Sequence, residues 1–434
     1  MENSFLYSYV IPLIACIGGF SIVFTFYYII TESLKNSNQN KNVNDEDKQL
    51  SNRKERGQKI PKKFIQETPG PLSCEALNYV ERDCDKILES IDEDRSEAYT
   101  INGGFQTGKT SLIRRYIYKA KEKGWGVIDV NFEFFESAII DIKNEKEYFE
   151  KILYLFIIET AIESLRGFPL ESDEVNKLKK ELDKSKSSTW ALKEFSKIHS
   201  NLEKHYNHDY CVICFDGVDH IYDAVKRIFG KFDYQVKEEI DQLMFFFNKI
   251  RTKMTTDFNK VKGLLCTTGP WSEDAFIKSK CKSQSREKTT DFFNNEEILR
   301  LKAIFITKDK NYKNIDDEKL KELNEYFNGT PYLMHNIVIE MCKNNAQVEA
   351  IKQAAKKLSE PYEEYWNRIK RIIEIIKKGD QKSMYDFIGQ HQDHEDKIKN
   401  LLTTYGIYTQ DFSITPFIKD MLEKEKKATD AKQS

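Results

Sequence analysis

The sequence predicts an α/β fold, a parallel sheet flanked by helices. Three observations predict it: apolar runs of strand length, amphipathic helices between them, and a glycine-rich segment joining one strand to one helix. Residues 98–102 read as the first strand. Residues 111–121 read as a helix, because Leu112, Ile113, Tyr116 and Ile117 recur at helical spacing. Between them Gly103, Gly104, Phe105, Gln106, Thr107, Gly108, Lys109 and Thr110 satisfy G-x-x-x-x-G-K-[ST] in the strand, loop and helix setting that its chemistry requires. Glycines there let backbone amides close around phosphate oxygens, and the helix N-terminus adds its dipole. Gly103 to Ser111 are therefore the expected nucleotide-binding loop. Lys109 would reach the β and γ phosphates, and the Thr110 hydroxyl would ligate Mg²⁺.

A P-loop site needs a second carboxylate for its metal, at the end of a buried strand near the loop. Residues 210–216 supply one, a continuous apolar run of the kind found in a parallel sheet covered on both faces, ending in Asp216. Many such ATPases carry a glutamate next, to polarise the attacking water; here the residue is Gly217, which puts hydrolysis in question. Asp219 is the remaining nearby candidate for positioning water, with support of the loop as its alternative role. Further strands are expected at residues 126–130 and 263–268. The second ends in Thr267 and Thr268, either of which would sense the γ-phosphate if this strand is inserted at the centre of the sheet; Thr268 stands at its tip. A GTPase would carry [NT]-K-x-D, whereas Thr307-Lys308-Asp309-Lys310 places its acid one position early, so ATP is the expected nucleotide.

Lys and Arg together number 68 against 70 Asp and Glu, so overall charge gives no reason to expect a nucleic-acid partner. The eight cysteines form no disulfide framework, and Cys211-x-x-Cys214 lies inside an apolar run with no second ligand pair. Both are expected to be buried strand residues.

No charged residue occurs over residues 5–30, a stretch longer than the roughly 20 residues that cross a bilayer as helix. Tyr7, Tyr9, Tyr27 and Tyr28 stand where aromatic rings meet headgroups. A cleaved signal peptide is disfavoured by the length of the run and by the lack of a basic side chain before it. Lys35, Lys41, Lys48, Arg53, Lys54, Arg56 and Lys59 all follow it, so a single-pass anchor with its N-terminus outside and the remaining chain in the cytoplasm is expected. The expected organisation is an anchor at 1–31, a polar tether at 32–60, an NTPase domain at 61–310, and a helical lid with a winged-helix-like part at 311–434. Residues 277–291 read as a solvated loop bearing Arg286, and residues 366–377 as an amphipathic helix through Ile369, Ile372, Ile373 and Ile376.

Beyond the loop, residues 67–418 resemble the AAA-like domain family of bacterial multidomain proteins, related to signal-transduction ATPases with numerous domains. The landmarks in order are Tyr79-Val80-Glu81-Arg82, Gln106 to Leu112, Asp216-Gly217-Val218-Asp219, Gly329-Thr330-Pro331-Tyr332-Leu333, and a helix at 397–407 followed by a wing at 412–418. The resemblance implies that Pro331 lies near the nucleotide and that a terminal winged-helix part closes as a lid. It also implies a regulatory switch, membrane-anchored here, that binds ATP and Mg²⁺ and alters contact with a second copy or a protein partner, with stress response or anti-phage defence as a natural setting. The alternatives are an ATP-hydrolysing motor for transport, secretion or membrane remodelling, and a scaffold with a degenerate nucleotide site.

Overall fold

Apolar residues fill the segments that become strands in the computed structural model, which describes residues 66, 71–72, 76–104, 106–135, 146–184, 186–218, 220–221, 246–268, 286–308, 313–377, 382–389 and 394–433. All of these belong to the unit Lys63–Ser434. The expected membrane anchor and tether lie outside the described residues, and no helix among those described is long and apolar enough to cross a membrane.

Five strands form the sheet: β1 (Glu97–Asn102), β2 (Gly126–Asn131), β3 (Cys211–Asp216), β4 (Val261–Thr268) and β5 (Arg286–Thr289). Their order is β2-β3-β4-β1-β5, and every neighbouring pair is parallel. β4 is thus inserted between the loop-bearing strand β1 and the acid-bearing strand β3. Both faces of β3 are covered, and all six of its residues are buried, which is why it reads as an unbroken apolar run. On one face, Ile87, Tyr99, Leu112, Tyr116, Val212 and Cys214 join helix α1 (Lys109–Glu122) and the 3-10 helix Asp83–Ser90 to the sheet. On the other, Ile128, Val130, Ile213, Phe215 and Leu264 pack beneath α2 (Lys146–Arg166) and α4 (Ser187–Ser200) through Leu153, Ile157, Phe195 and Ile198. Two further helices, α3 (Ser172–Leu182) and α5 (Leu202–Tyr206), complete the insertion between β2 and β3. Cys211 and Cys214 fall into the two different clusters, on opposite faces of one strand, so they can share neither a metal nor a disulfide.

β5 departs from the expectation of a loop. An edge strand pairs on one side only, and Arg-Glu-Lys-Thr carries no apolar alternation, so periodicity could not mark it. Arg286 pairs with Glu97 of the adjoining β1 at 2.9 Å, within its own sheet.

The chain then turns helical: α6 (Asn295–Lys308), α7 (Asp317–Tyr326), α8 (Pro331–Asn344), α9 (Val348–Lys356), α10 (Tyr362–Lys377), α11 (Met384–Gly389), α12 (Asp396–Thr404) and α13 (Pro416–Gln433). These share a core of their own, in which Ile298, Leu320, Ile337, Ile373, Leu402 and Phe417 are all fully buried. The expected wing contracts to a single antiparallel bridge, Tyr408 with Ile414. Pro416 has its φ preset and lacks an amide proton, so it starts α13 instead of extending a strand.

Candidate functional site

The glycine-rich loop is held in shape from below. Gly108, at the N-cap of α1, adopts φ +88°, a left-handed conformation that only glycine takes at little cost, and no side chain caps the helix there. A methyl group at that position would meet the Arg82 guanidinium at 2.9 Å. Arg82 is itself buried and donates to the Thr107 carbonyl (2.7 Å) and the Asp291 carbonyl (2.8 Å), tying the loop to the exit of β5. Thr107 donates to the Gly104 carbonyl at 2.9 Å and meets Thr290 at 2.5 Å. Lys109 turns back over the loop, its Nζ 2.9 Å from the Gly103 carbonyl and 2.8 Å from that of Gly104. The buried Oε1 of Gln106 has no partner among the described residues. An uncapped helix N-terminus and an ammonium group over the loop are what an anionic ligand would complete, so these residues fit a nucleotide phosphate.

Asp216 is buried at the C-terminal end of β3. Its Oδ1 accepts from the Thr267 hydroxyl at 2.6 Å, and that hydroxyl accepts from the Gly217 amide at 2.7 Å. The polar contact from β4 to Asp216 is thus made by Thr267. Thr267 is one of the two residues expected at the end of this strand; the backbone of the other, Thr268, pairs opposite Asn102. Gly217 has φ +68°, and a methyl group added to it would come within 2.6 Å of the His220 ring. The absence of glutamate at this position therefore goes with a backbone turn that an L side chain would strain. Asp129 of β2, next to Asp216 in the field of the sheet, is pushed up to about 6 by burial and secondarily by that second carboxylate.

The opposite wall belongs to the helical part. Pro331 is the first residue of α8 and faces the loop, and the Tyr332 amide donates to the Gln106 carbonyl at 3.3 Å. His335, one turn on, lies 3.5 Å from the Asn78 side-chain amide; burial and the nearby Arg82 push its pKa down to about 3, leaving the ring neutral. Asn78 in turn pairs with both main-chain groups of Gln66. Arg368 of α10 reaches the same space from an ion pair with Glu364. Tyr405, after α12, closes on Gly104, where an added methyl group would stand 3.3 Å from the Tyr405 Cα.

Between these walls lies a cleft of about 450 Å³, within the size range of small-molecule sites. Of the residues expected from sequence, Gln106, Gly108, Lys109, Thr110, Ser111, Asp216 and Pro331 line it, while Gly103, Gly104 and Thr107 form the loop behind them. Phe105 and Asp219 lie outside the described residues. Sequence reasoning assigned no role to Leu72, Glu133, His335 or Arg368, which also line the cleft. Arg82 belonged to a recognised landmark, yet its position under the loop carries no local signal.

No family model matches the chain, and no curated protein matches it. Among solved structures, the chain is similar to a Walker-type ATPase of Pyrococcus abyssi, with 13% identity and a TM-score of 0.50 over 83% of this chain and 100% of that one. The ORC2 protein of Aeropyrum pernix in its ADPNP–ADP complexes is 13% identical with a TM-score of 0.36, over 84% and 87% of the two chains. The ORC1 protein of the same organism in complex with DNA is 11% identical with a TM-score of 0.34, over 80% and 93%. The likeness to the Walker-type ATPase is one of fold. Taken with the parallel sheet and its inserted strand, the fold is that of a P-loop ATPase.

Proposed function

We propose that this protein is a membrane-anchored, ATP-binding regulatory switch. Mg·ATP would occupy the cleft, with its phosphates on the amides at the start of α1 and on Lys109, and its metal held by Thr110 and Asp216. The observation that carries this reading is that one cleft is lined by the loop on one side and by α8 and α10 on the other, with a backbone hydrogen bond from Tyr332 to Gln106 already joining the two. A ligand touching both walls has different affinity for closed and opened arrangements, and that difference is the free energy available to a switch. Nucleotide occupancy would be passed on as altered contact with a second copy or a protein partner. The uncharged run over residues 5–30 and the basic residues that follow it support an anchor with the ATPase part in the cytoplasm. Stress response or anti-phage defence is the setting we favour, on the resemblance to AAA-like switches.

The test uses the full chain in detergent. Titration with Mg·ATP and Mg·GTP, with hydrogen exchange followed in α8 and α10, should give saturable ATP binding, weaker GTP binding, and slower exchange in both helices when ATP is bound. Exchange unchanged by saturating ATP would reject the switch, and absence of binding would reject the nucleotide site itself.

A further inference from the structure

Position 217 has no carboxylate and is turned into a left-handed conformation, so a water-activating group must come from elsewhere if the site hydrolyses its nucleotide. Glu133 has the placement for it. β2 and β3 end level, with Asn131 opposite Asp216, and Glu133 stands two residues past that end. It lines the main cleft together with Lys109, Thr110 and Asp216. It also lines the adjoining cavity of about 440 Å³ on the β2 side, and Thr110, Glu133 and Asp216 are the three residues common to both. Glu133 therefore shares both cavities with Thr110 and Asp216, the expected metal ligands.

The local structure fixes this placement. Phe132 is fully buried against Phe135, Phe156 and Phe215, anchoring the turn, and the Asn131 side chain accepts from the Glu133 amide at 2.9 Å. The Glu133 side chain remains exposed, and its carboxylate has no hydrogen-bond or ion-pair partner among the described residues. Among the described residues Asp129 also lines the second cavity, but it lies inside β2 opposite Cys214, two residues short of the strand end; Asp219 lies outside the described residues.

We propose, resting on the nucleotide site described above, that Glu133 is the general base of an ATP hydrolysis reaction in which it replaces the carboxylate missing at position 217. A water held at the junction of the two cavities attacks the γ-phosphorus, and its proton passes to the Glu133 carboxylate. The bond from the γ-phosphorus to the β–γ bridging oxygen breaks, ADP and inorganic phosphate leave, and the proton returns to solvent. Lys109 offsets the negative charge on the phosphate oxygens as that bond breaks.

Single-turnover phosphate release and ATP affinity, measured on the full chain in detergent for wild type, Glu133→Gln and Glu133→Asp, test this directly. Loss of a general base lowers hydrolysis by about 10²–10⁴-fold, so Glu133→Gln should fall in that range with ATP affinity within about twofold of wild type. Glu133→Asp should keep part of the rate. The assignment is overturned if wild type binds ATP without releasing phosphate, if Glu133→Gln hydrolyses within about threefold of wild type, or if it loses ATP binding as well. Failure of wild type to bind any nucleotide instead rejects the site on which the assignment rests.

Discussion

The two walls of the cleft are built in different ways. The sheet wall is assembled from the short glycine-rich loop and one strand end, Asp216, with Thr107 of the loop held by Arg82 through its carbonyl and by Thr290 through its hydroxyl. The helical wall draws single residues from distant turns, namely Pro331, Tyr332 and His335 of α8 and Arg368 of α10, over a separate apolar core. A contiguous wall keeps its geometry through local bonds, whereas a dispersed wall keeps its geometry only while its core stays packed. Ligand affinity should therefore depend on chemistry in the first wall and on stability in the second.

The sharpest separation should come from Lys109→Ala. Nucleotide affinity should fall at least about a hundredfold, as a charge-assisted contact to phosphate is removed, while the denaturation midpoint without ligand stays close to that of wild type. A large drop in that midpoint would mean that the lysine holds the loop together and that the two walls do not differ as described. Gly329→Ala is the counterpart on the other side. Gly329 has φ +61°, and an added methyl group would stand 2.2 Å from the Phe293 carbonyl oxygen. Strain of about 1–2 kcal/mol from the backbone, with overpacking of similar size, should cost about 2–3 kcal/mol by urea denaturation and weaken ATP through the lid.

Next in size is a contrast in pH dependence. Asp129 is raised to about 6 in the folded state, so its ionisation costs stability progressively as pH rises from about 4 to about 6, and fully above that. Asp129→Asn should then stabilise the ligand-free protein at pH 7 by about 1–3 kcal/mol and leave it little changed below pH 4. His335 acts with the opposite slope: its pKa is depressed to about 3, so the folded state loses stability as pH falls below the ordinary histidine range. Replacing His335 with glutamine should flatten that acid loss, measured as the urea midpoint between pH 4 and 7. Parallel slopes in the two variants would contradict the contrast. The smallest effect concerns the residue that touches Asp216. Thr267→Val leaves the Asp216 oxygen and the Gly217 amide without their hydroxyl partner and should cost about 1–2 kcal/mol. A urea midpoint for Thr267→Val equal to that of wild type would mean that this hydroxyl does not tie the two strand ends together.

Legibility followed the same division. The loop could be read because every residue it needs lies within a short window and serves backbone geometry. β3 could be read because burial on both faces leaves an unbroken apolar run. β5 escaped because an edge strand needs no apolar face, and the wing was overdrawn because Pro416 fits a helix start as readily as a strand end. Glu133 escaped as well: an acid after a strand is common, and only its neighbours make it chemically placed.

By itself, the sequence determined the glycine-rich turn between strand and helix, the apolar strands and helices, and Asp216 at the end of a buried run, since each rests on local propensity or on burial periodic along the chain. Only the tertiary structure decided that Thr267 meets Asp216, that Arg82 lies beneath the loop, and that Glu133 and His335 face the same cleft. Those facts depend on which strands pair and which cores dock, and contacts between residues far apart in the chain leave no spacing for a sequence reading to detect.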